Sequence, residues 1–283
     1  MHKIKIITDS TCDLEPQTVK EIDVEVIPLN VIFGEQIFKD GIEMNQTILY
    51  RMVDETKKLP KTSAVAPGQF IEVFKKYIDD GYQVLYTGIG SGFSGTFQSA
   101  SIAAAEFPKD KVRLVDSQNL STGTGLLVLK ATKLVKEGKS LEEIVATLEV
   151  LVPKVRAQFM VLNLEFLYKG GRCSAAKYYF GTLLRAHPII AVRNGKMDVF
   201  DTPKGKQIKA LNRQLDMFKE DLQEGIDEDW VLITSSDAEE AEKYYIEELS
   251  KLIKPESIMV SKAGAVISSH CGRGTIGILY IKK

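Results

Sequence analysis

In the first half of the chain, short runs of aliphatic and β-branched residues alternate with longer stretches whose apolar residues recur at helical spacing. The short runs predict buried strands over residues 4–8, 24–32, 83–89 and 112–115. The longer stretches predict helices over residues 44–57, 69–77, 97–107 and 122–137. This alternation is typical of a parallel sheet with helices on both faces, so an α/β domain is expected here.

The pattern changes near Pro153, where the regular alternation of strand and helix stops. Beyond it, the apolar patterns predict strands over residues 156–162, 188–192, 197–202, 231–234 and 276–281, with helices over 207–223 and from 237 onward. Asn194-Gly195 separates two of these strands and is the strongest short signal for a β-hairpin. We therefore expect two domains: residues 1–155 as an N-terminal α/β domain with a parallel sheet, and residues 156–283 as a C-terminal mixed α/β domain.

Composition and charge are those of an ordinary soluble globular protein. Among 283 residues, 44% are hydrophobic and 27% are charged. The formal net charge of −1 argues against a general nucleic-acid binder, because such proteins carry a basic excess. The three cysteines are scattered and odd in number, so no disulfide framework is implied. Apolar runs are too short for a membrane span and the N-terminus does not resemble a signal peptide, so a cytoplasmic protein is expected.

A loop rich in glycine and hydroxyl residues lies between the strand predicted at 83–89 and the helix predicted at 97–107. Glycines stand at positions 88, 90, 92 and 95, and serine or threonine stands at 91, 94 and 96. A helix N-terminus offers unpaired N–H groups and a favourable dipole to an anion, and glycine lets a ligand approach the backbone. The loop therefore predicts an anion site at Ser94 and Gly95. The alternative is that Ser94 only caps the helix, but four glycines exceed what a cap needs.

The same loop also matches the dinucleotide-binding fingerprint, as Gly90-x-Gly92-x-x-Gly95. Asp116 ends the next predicted strand, where a ribose-binding acid is expected, so an NAD-dependent oxidoreductase is an alternative function. The hydroxyl side chains of the loop favour a small anionic head group over a pyrophosphate that rests on bare glycine. No Gly-Lys-Ser/Thr ending follows the loop, so a nucleotide P-loop is not expected.

Two further polar features lie far from the glycine loop in sequence. Thr62 and Ser63 fall in a predicted loop, where they serve as turn hydroxyls or close the other side of the anion site. His270 lies among small polar residues, and a lone histidine of this kind is usually a structural hydrogen-bonding group. His270-Cys271 does not make a zinc site, because the other cysteines lack ligand spacing, so no metal is expected.

Taken in their order along the chain, these motifs resemble the DegV family of bacterial lipid-binding proteins. The residues that carry the resemblance are Thr8-Asp9-Ser10, Thr62-Ser63, Ser91-Gly92-Phe93-Ser94-Gly95-Thr96, Asp116-Ser117, Leu167-Tyr168-Lys169-Gly170-Gly171-Arg172 and Ser269-His270-Cys271-Gly272-Arg273-Gly274. The resemblance implies a two-domain α/β protein that holds one long-chain fatty acid between its domains. It also implies an acyl-carrying partner of a separate fatty acid kinase, which makes an acyl phosphate for phospholipid synthesis.

Carried over by position, the resemblance implies a specific site for the fatty carboxylate. The implied binding residues are Thr62, Ser94 and His270, with Ser63, Gly95 and Arg172 in supporting positions. Arg172 either contacts the head group or the kinase, or it is a solvated arginine in a turn. The resemblance implies a lipid-binding subunit without catalytic residues, with the fatty acid as ligand, no cofactor, no metal and no nucleic-acid partner. Transient contact with a membrane is a further expectation.

The chain departs from the family pattern at three places. Ala186-His187-Pro188 replaces a segment usually written Ile-Lys-Pro, which bears on the second domain. Cys271 and Arg273 stand where threonine and proline are more common, which bears on the surroundings of the head group. The implied binding residues Thr62, Ser94 and His270 are all present.

Overall fold

The computed structural model describes residues 3–162, 164–172 and 186–283, which form three β-sheets with flanking helices. The strands are β1 Lys3–Asp9, β2 Glu25–Ile27, β3 Asn30–Phe33, β4 Gln36–Lys39, β5 Lys61–Ser63, β6 Tyr82–Tyr86, β7 Val112–Leu114, β8 Val155–Met160, β9 Ile189–Arg193, β10 Lys196–Asp201, β11 Ile226–Ser236, β12 Ile258–Lys262 and β13 Thr275–Lys282. The helices are α1 Pro16–Glu21, α2 Gln46–Thr56, α3 Pro67–Asp79, α4 Thr96–Ala104, α5 Thr122–Lys136, α6 Leu141–Leu151, α7 Glu165–Lys169, α8 Ile208–Glu224, α9 Glu239–Leu249 and α10 Ala265–Cys271.

The N-terminal half contains a parallel four-stranded sheet in the order β2–β1–β6–β7. Successive residues of its strands point to opposite faces: Ile6 and Leu85 belong to one hydrophobic core, whereas Ile7 and Tyr86 belong to another. The first core includes side chains of α5 and α6, and the second includes side chains of α2, α3 and α4. Helices therefore cover both faces of the sheet, as the alternation of strands and helices predicts.

The C-terminal half forms a mixed six-stranded sheet in the order β10–β9–β8–β13–β11–β12. Its strands β11 and β12 pair in parallel, and the other neighbouring strands pair antiparallel. One face packs against α8 and α9, with Phe218 and Tyr245 fully buried. The other face packs against α5, in which residues 122–132 are all buried. Helix α5 thus lies between the two large sheets and contributes side chains to the core that joins them.

A third, antiparallel sheet of order β4–β3–β5 was not indicated by the sequence pattern. The prediction of one strand over residues 24–32 is wrong, because the run is broken near Pro28 and its halves β2 and β3 join different sheets. The prediction of a loop at residues 61–63 is also wrong, because these residues form β5. Thr62 pairs with Val31 of β3, so the small sheet fixes the position of the Thr62 side chain.

Two elements of the C-terminal half shape the site. The turn Asn194-Gly195 joins β9 to β10 with positive φ at both residues (51° and 69°), as its sequence predicts. Helix α10 carries His270 near its end, although the sequence pattern did not indicate a helix there. We propose that the domain boundary lies at residues 155–156, where β8 begins the mixed sheet.

Candidate functional site

A cavity lies where the small sheet, the glycine loop and α10 meet the mixed sheet. Together with the open space at its mouth, it has a volume of about 600 Å³. Its polar lining residues are Thr62, Ser63, Ser94, Arg172 and His270. The other lining residues are Leu29, Ala64, Ile89, Phe93, Leu120, Phe159, Leu167, Met197, Val266, Ile267 and Cys271. The fold thus gathers five of the six residues predicted for the site around one largely apolar space.

Thr62 and His270 form a direct hydrogen bond across this cavity, although 208 positions separate them in the sequence. The distance from Oγ1 of Thr62 to Nε2 of His270 is 2.9 Å. Thr62 is held by its strand pairing with Val31, and His270 is held by the last turn of α10. Both side chains are therefore fixed by regular structure rather than by a loop.

Burial, with a smaller contribution from the positive charge of Arg172, lowers the pKa of His270 from 6.5 to about 4, so the imidazole is neutral at pH 7. Its Nδ1 has no hydrogen-bond partner among the described residues and lies against Gly170, where a β-carbon would come within 2.3 Å. An unpaired buried N–H is rarer than an unpaired acceptor, so we assign Nδ1 as unprotonated and Nε2–H as donor to Thr62. The hydroxyl proton of Thr62 is then available to the cavity.

Ser94 and Gly95 lie at the start of α4. The hydroxyl of Ser94 accepts a hydrogen bond from the N–H of Thr96 at 3.2 Å and lies 2.9 Å from the Thr96 hydroxyl. Ser94 therefore bonds a backbone N–H of the first helical turn from the position before the N-cap, and its side chain also lines the cavity. Gly95 does not line the cavity itself but occupies the N-cap position, where an added β-carbon would meet only the Ala64 side chain, at 4.0 Å.

Ser63 and Arg172 are bonded to protein atoms at the cavity wall. The hydroxyl of Ser63 accepts a hydrogen bond from the side-chain amide of Asn30 at 3.2 Å. The exposed Arg172 guanidinium donates to the Gly170 carbonyl at 2.7 Å and to the Phe93 carbonyl at 3.4 Å. Arg172 therefore links the turn after α7 to the glycine loop at the cavity mouth.

The glycine loop is anchored from beneath by Asp9, a fully buried carboxylate at the end of β1. Asp9 accepts hydrogen bonds from the Tyr86 hydroxyl at 2.7 Å and from the N–H of Ile89 at 2.8 Å. Burial raises the pKa of Asp9, against the opposing effect of these hydrogen bonds. A β-carbon at Gly88 would come within 2.1 Å of the same carboxylate, so glycine is required there by the anchor.

The structure gives no support to the dinucleotide-binding alternative. A β-carbon at Gly90 would lie 2.7 Å from the backbone nitrogen of Asn119, and one at Gly92 would lie 2.2 Å from the carbonyl oxygen of Gly195. These glycines are therefore explained by contacts within the protein. The Asp116 carboxylate accepts from the N–H and the hydroxyl of Ser91, at 3.0 and 2.5 Å, so it holds the loop in shape.

A second cavity, of about 380 Å³ including the open space at its mouth, adjoins the first on the side of β11 and β13. The two cavities share Leu120, Phe159, Ile267 and Cys271. The remaining residues of the second cavity are Ser121, Thr234, Ser235, Ser236, Ala263, Thr275, Gly277 and Leu279. Sequence reasoning did not find this space, because its walls come from segments far apart in the chain and carry no local pattern.

The three departures from the family pattern lie in different places. Cys271 lines both cavities, and burial raises the pKa of its thiol to about 12, so it is a neutral side chain rather than a nucleophile. Arg273 lies outside the two cavities, where it pairs with Asp54 at 2.6 Å and Asp237 at 3.1 Å. In the segment Ala186-His187-Pro188, the imidazole lies 3.1 Å from the Gly205 carbonyl, also away from both cavities.

The described residues contain neither a metal-binding cluster nor a membrane-spanning helix. Within the described ranges, no group of three or more histidine, cysteine, aspartate or glutamate side chains is placed to hold a metal ion. In those ranges there is also no helix with the length and apolar character needed to cross a membrane.

The fold and the site define a two-domain α/β protein with a largely apolar cavity that is also lined by a few polar side chains. The chain belongs to the DegV family: the family model, described as "Uncharacterised protein, DegV family", matches residues 3–283. This match confirms the resemblance seen in the sequence motifs.

Similar proteins agree with this assignment. A DegV domain-containing protein of Clostridium acetobutylicum is 34% identical over 284 residues, with both chains covered completely. A fatty-acid-binding DegV family protein from Thermus thermophilus has 35% identity and a TM-score of 0.92, covering 99% of this chain and 100% of the other. DegV from Bacillus subtilis, a fatty acid binding protein, has 32% identity and a TM-score of 0.88, with both chains covered completely. These structures confirm the predicted two-domain α/β fold.

Proposed function

We propose that this protein binds one long-chain fatty acid, with the carboxylate at Thr62, Ser94 and His270 and the tail in the two joined cavities. The observation that carries the proposal is the convergence of these three side chains on a space that is otherwise almost entirely apolar. The fatty-acid-binding proteins from Thermus thermophilus and Bacillus subtilis support the ligand class.

The polar end of the cavity suits a carboxylate because its groups are hydrogen-bond donors. Thr62 and Ser94 each offer a hydroxyl, and the start of α4 at Gly95 adds backbone N–H groups and the positive end of the helix dipole. Neutral His270 orients Thr62 without bringing a buried charge of its own. Arg172 adds a positive charge at the mouth, on the side where the carboxylate remains accessible.

The apolar part of the site supplies most of the expected affinity. Each methylene group transferred from water to this environment contributes about 0.8 kcal/mol. In this proposal the tail passes Phe159 and Ile267, which line both cavities, and reaches toward Leu279 in the second. Affinity is therefore expected to rise with chain length until the tail reaches the end of the second cavity.

We further propose that the bound fatty acid is presented to a separate fatty acid kinase, which phosphorylates it to an acyl phosphate. The membership of the DegV family and the absence of a P-loop ending after the glycine loop support this division of labour. In this proposal the protein is a lipid-binding subunit without its own catalytic machinery. It takes up and releases its ligand through transient contact with a membrane.

Native mass spectrometry of the protein purified from a heterologous host tests the ligand class. We expect an adduct with the mass of a long-chain fatty acid, and a rise in melting temperature when palmitate is added to delipidated protein. A ligand at a hundred times its dissociation constant adds about 2.7 kcal/mol to stability, which such a measurement detects. Stabilisation by NAD but not by palmitate would overturn the proposal.

A further inference from the structure

Another cavity lies where β8, β9, β10 and β13 of the mixed sheet meet α8. Including the open space at its mouth, it has a volume of about 390 Å³. It shares no lining residue with the first or the second cavity. Its lining residues are Arg156, Ala157, Gln158, Ala191, Val192, Arg193, Phe200, Met217, Glu220, Asp221 and Tyr280. A ligand in this cavity would therefore occupy space separate from that proposed for the fatty acid.

The acidic side chains of this cavity are held by contacts within the protein. The Asp221 carboxylate accepts a hydrogen bond from the Tyr280 hydroxyl at 2.8 Å. Oε1 of Glu220 pairs with Arg213 at 3.2 Å, and the Arg213 guanidinium lies 5.5 Å from the centroid of the Phe200 ring. Oε2 of Glu220 accepts no hydrogen bond from the residues that the structure describes, so it remains available to a donor.

One of the two arginines that line the cavity has no acidic partner. Arg156 pairs with Asp221 at 3.6 Å, whereas Arg193 forms no ion pair within residues 3–162, 164–172 and 186–283. The Arg193 guanidinium lies 5.5 Å from the centroid of the Phe200 ring, which is 42% exposed. A guanidinium above an aromatic ring keeps the N–H groups of its edge free for a bidentate contact with a carboxylate. Arg193 and Glu220 thus present opposite charges around the same ring.

A buried amide oxygen of the same cavity lacks a hydrogen-bond donor. Gln158 is 3% exposed, and its Nε2 donates to the backbone carbonyl of Gln214 at 3.3 Å. Its Oε1 has no hydrogen-bond partner among the described residues. The contact with the Gln214 carbonyl fixes which amide atom is the nitrogen, because two oxygens at this distance would repel each other. An unpaired acceptor in the interior is unfavourable, so a ligand that brings an N–H or O–H donor would be favoured here.

We propose that this cavity binds a free α-amino acid with an apolar side chain. Its carboxylate contacts the Arg193 guanidinium, and its ammonium group contacts Glu220 and Oε1 of Gln158. Its side chain packs on Phe200 and Met217. The lining holds two arginines and two acidic residues, so a zwitterion adds no net charge to a balanced set. A simple carboxylate would leave the acceptors unpaired, and a simple amine would leave the guanidinium unpaired. The inference does not rest on the proposed binding of a fatty acid.

Isothermal titration calorimetry of the full-length protein tests the proposal, with L-phenylalanine and L-leucine as probes. We expect saturable binding of at least one of them. Analogues that lack one charge, such as 3-phenylpropionate and phenethylamine for phenylalanine, should bind about tenfold more weakly. Arg193→Gln should weaken amino-acid binding about tenfold, because the contact with the carboxylate is lost, and should leave amine binding unchanged. Arg51→Gln, at an exposed position of α2, is the matched control and should change none of these affinities.

The outcomes separate the proposed site from its alternatives. The absence of saturable binding of both amino acids, or equal affinity in wild type and a correctly folded Arg193→Gln protein, would overturn the proposal. Binding of 3-phenylpropionate as tight as that of L-phenylalanine would assign the cavity to a simple anion and contradict it. Excess palmitate should leave amino-acid affinity unchanged, and displacement by palmitate would place the amino acid in the first cavity and also contradict the proposal. A protein that binds the amino acid but no palmitate would contradict the proposed function alone.

Discussion

Replacing Thr62 by valine removes the hydroxyl that the structure places between His270 and the cavity. Valine has nearly the same shape as threonine, so the strand pairing with Val31 should persist. The substitution removes the 2.9 Å hydrogen bond to His270 and, with the tautomer assigned above, the proton offered to the fatty carboxylate. Head-group recognition should therefore weaken, while the apolar walls around the tail stay unchanged.

The size of the effect follows from the kind of hydrogen bond that is lost. A bond from a neutral donor to a charged acceptor contributes roughly 1.5–3 kcal/mol, so the dissociation constant for palmitate should rise about ten- to a hundredfold. Displacement of a fluorescent fatty acid measures this change. The relative affinities for myristate, palmitate and stearate should be the same as in wild type, because the variant leaves the tail contacts intact.

Two controls make the result specific to the carboxylate. Hexadecanol lacks the charge, so it should bind wild type more weakly than palmitate, and this difference should shrink in Thr62→Val. Thr56→Val removes another threonine hydroxyl, which donates to the Met52 carbonyl on the exposed side of α2, and should leave both ligands unaffected. Unchanged palmitate affinity in a correctly folded Thr62→Val protein would refute the reasoning and place the carboxylate elsewhere.

Further substitutions test the cap and the histidine. Ser94→Ala should weaken palmitate binding about ten- to a hundredfold. It should also lower stability by about 1 kcal/mol, because the Ser94 hydroxyl accepts a hydrogen bond from the N–H of Thr96. Ser94→Asn should recover much of this stability in thermal melts. Folding lowers the pKa of His270 from 6.5 to about 4, so the unfolded chain binds a proton more readily than the folded protein between these two pH values. The free energy of unfolding should therefore decline as the pH falls from 6.5 toward 4, by about 2 kcal/mol at pH 5. His270→Gln should lack this contribution in urea unfolding at pH 7 and pH 5. Burial raises the pKa of Asp9 and of Asp13, so these two groups make stability change with pH in the opposite direction. The diagnostic quantity is therefore the difference in stability between His270→Gln and wild type at each pH.

Local sequence patterns were sufficient to predict most of the architecture. The strands of the parallel sheet, its covering helices and the Asn194-Gly195 hairpin each carry a pattern that can be recognised within a short stretch of sequence, although the pairing of strands joins distant residues such as Lys3 and Tyr82. The strand β5 and the helix α10 escaped prediction because each is short and takes its stability from packing against other elements. Both elements carry residues of the candidate site, so the least predictable parts of the fold position Thr62 and His270.

The tail cavities could not be predicted for a related reason. Phe159, Ile267 and Leu279 face the same space from β8, α10 and β13, and apolar residues in these elements look like ordinary core residues in the sequence. The local sequence pattern is the same for an apolar side chain that packs against another side chain and for one that lines a cavity. Only the assembled packing of sheets and helices distinguishes them.

The glycine loop borders the candidate site, but most of its glycines have a different role from the one that their number suggests. The number of glycines suggested close approach of a ligand, yet three of the four are required by contacts with protein atoms: Gly88 with Asp9, Gly90 with Asn119 and Gly92 with Gly195. At Gly95, by contrast, an added β-carbon would make only an ordinary contact with the Ala64 side chain, at 4.0 Å. The same contacts explain why a dinucleotide fingerprint appears without a dinucleotide site. The hydroxyls, which make the loop polar where it meets the cavity, are therefore the better indicators of its proposed chemistry.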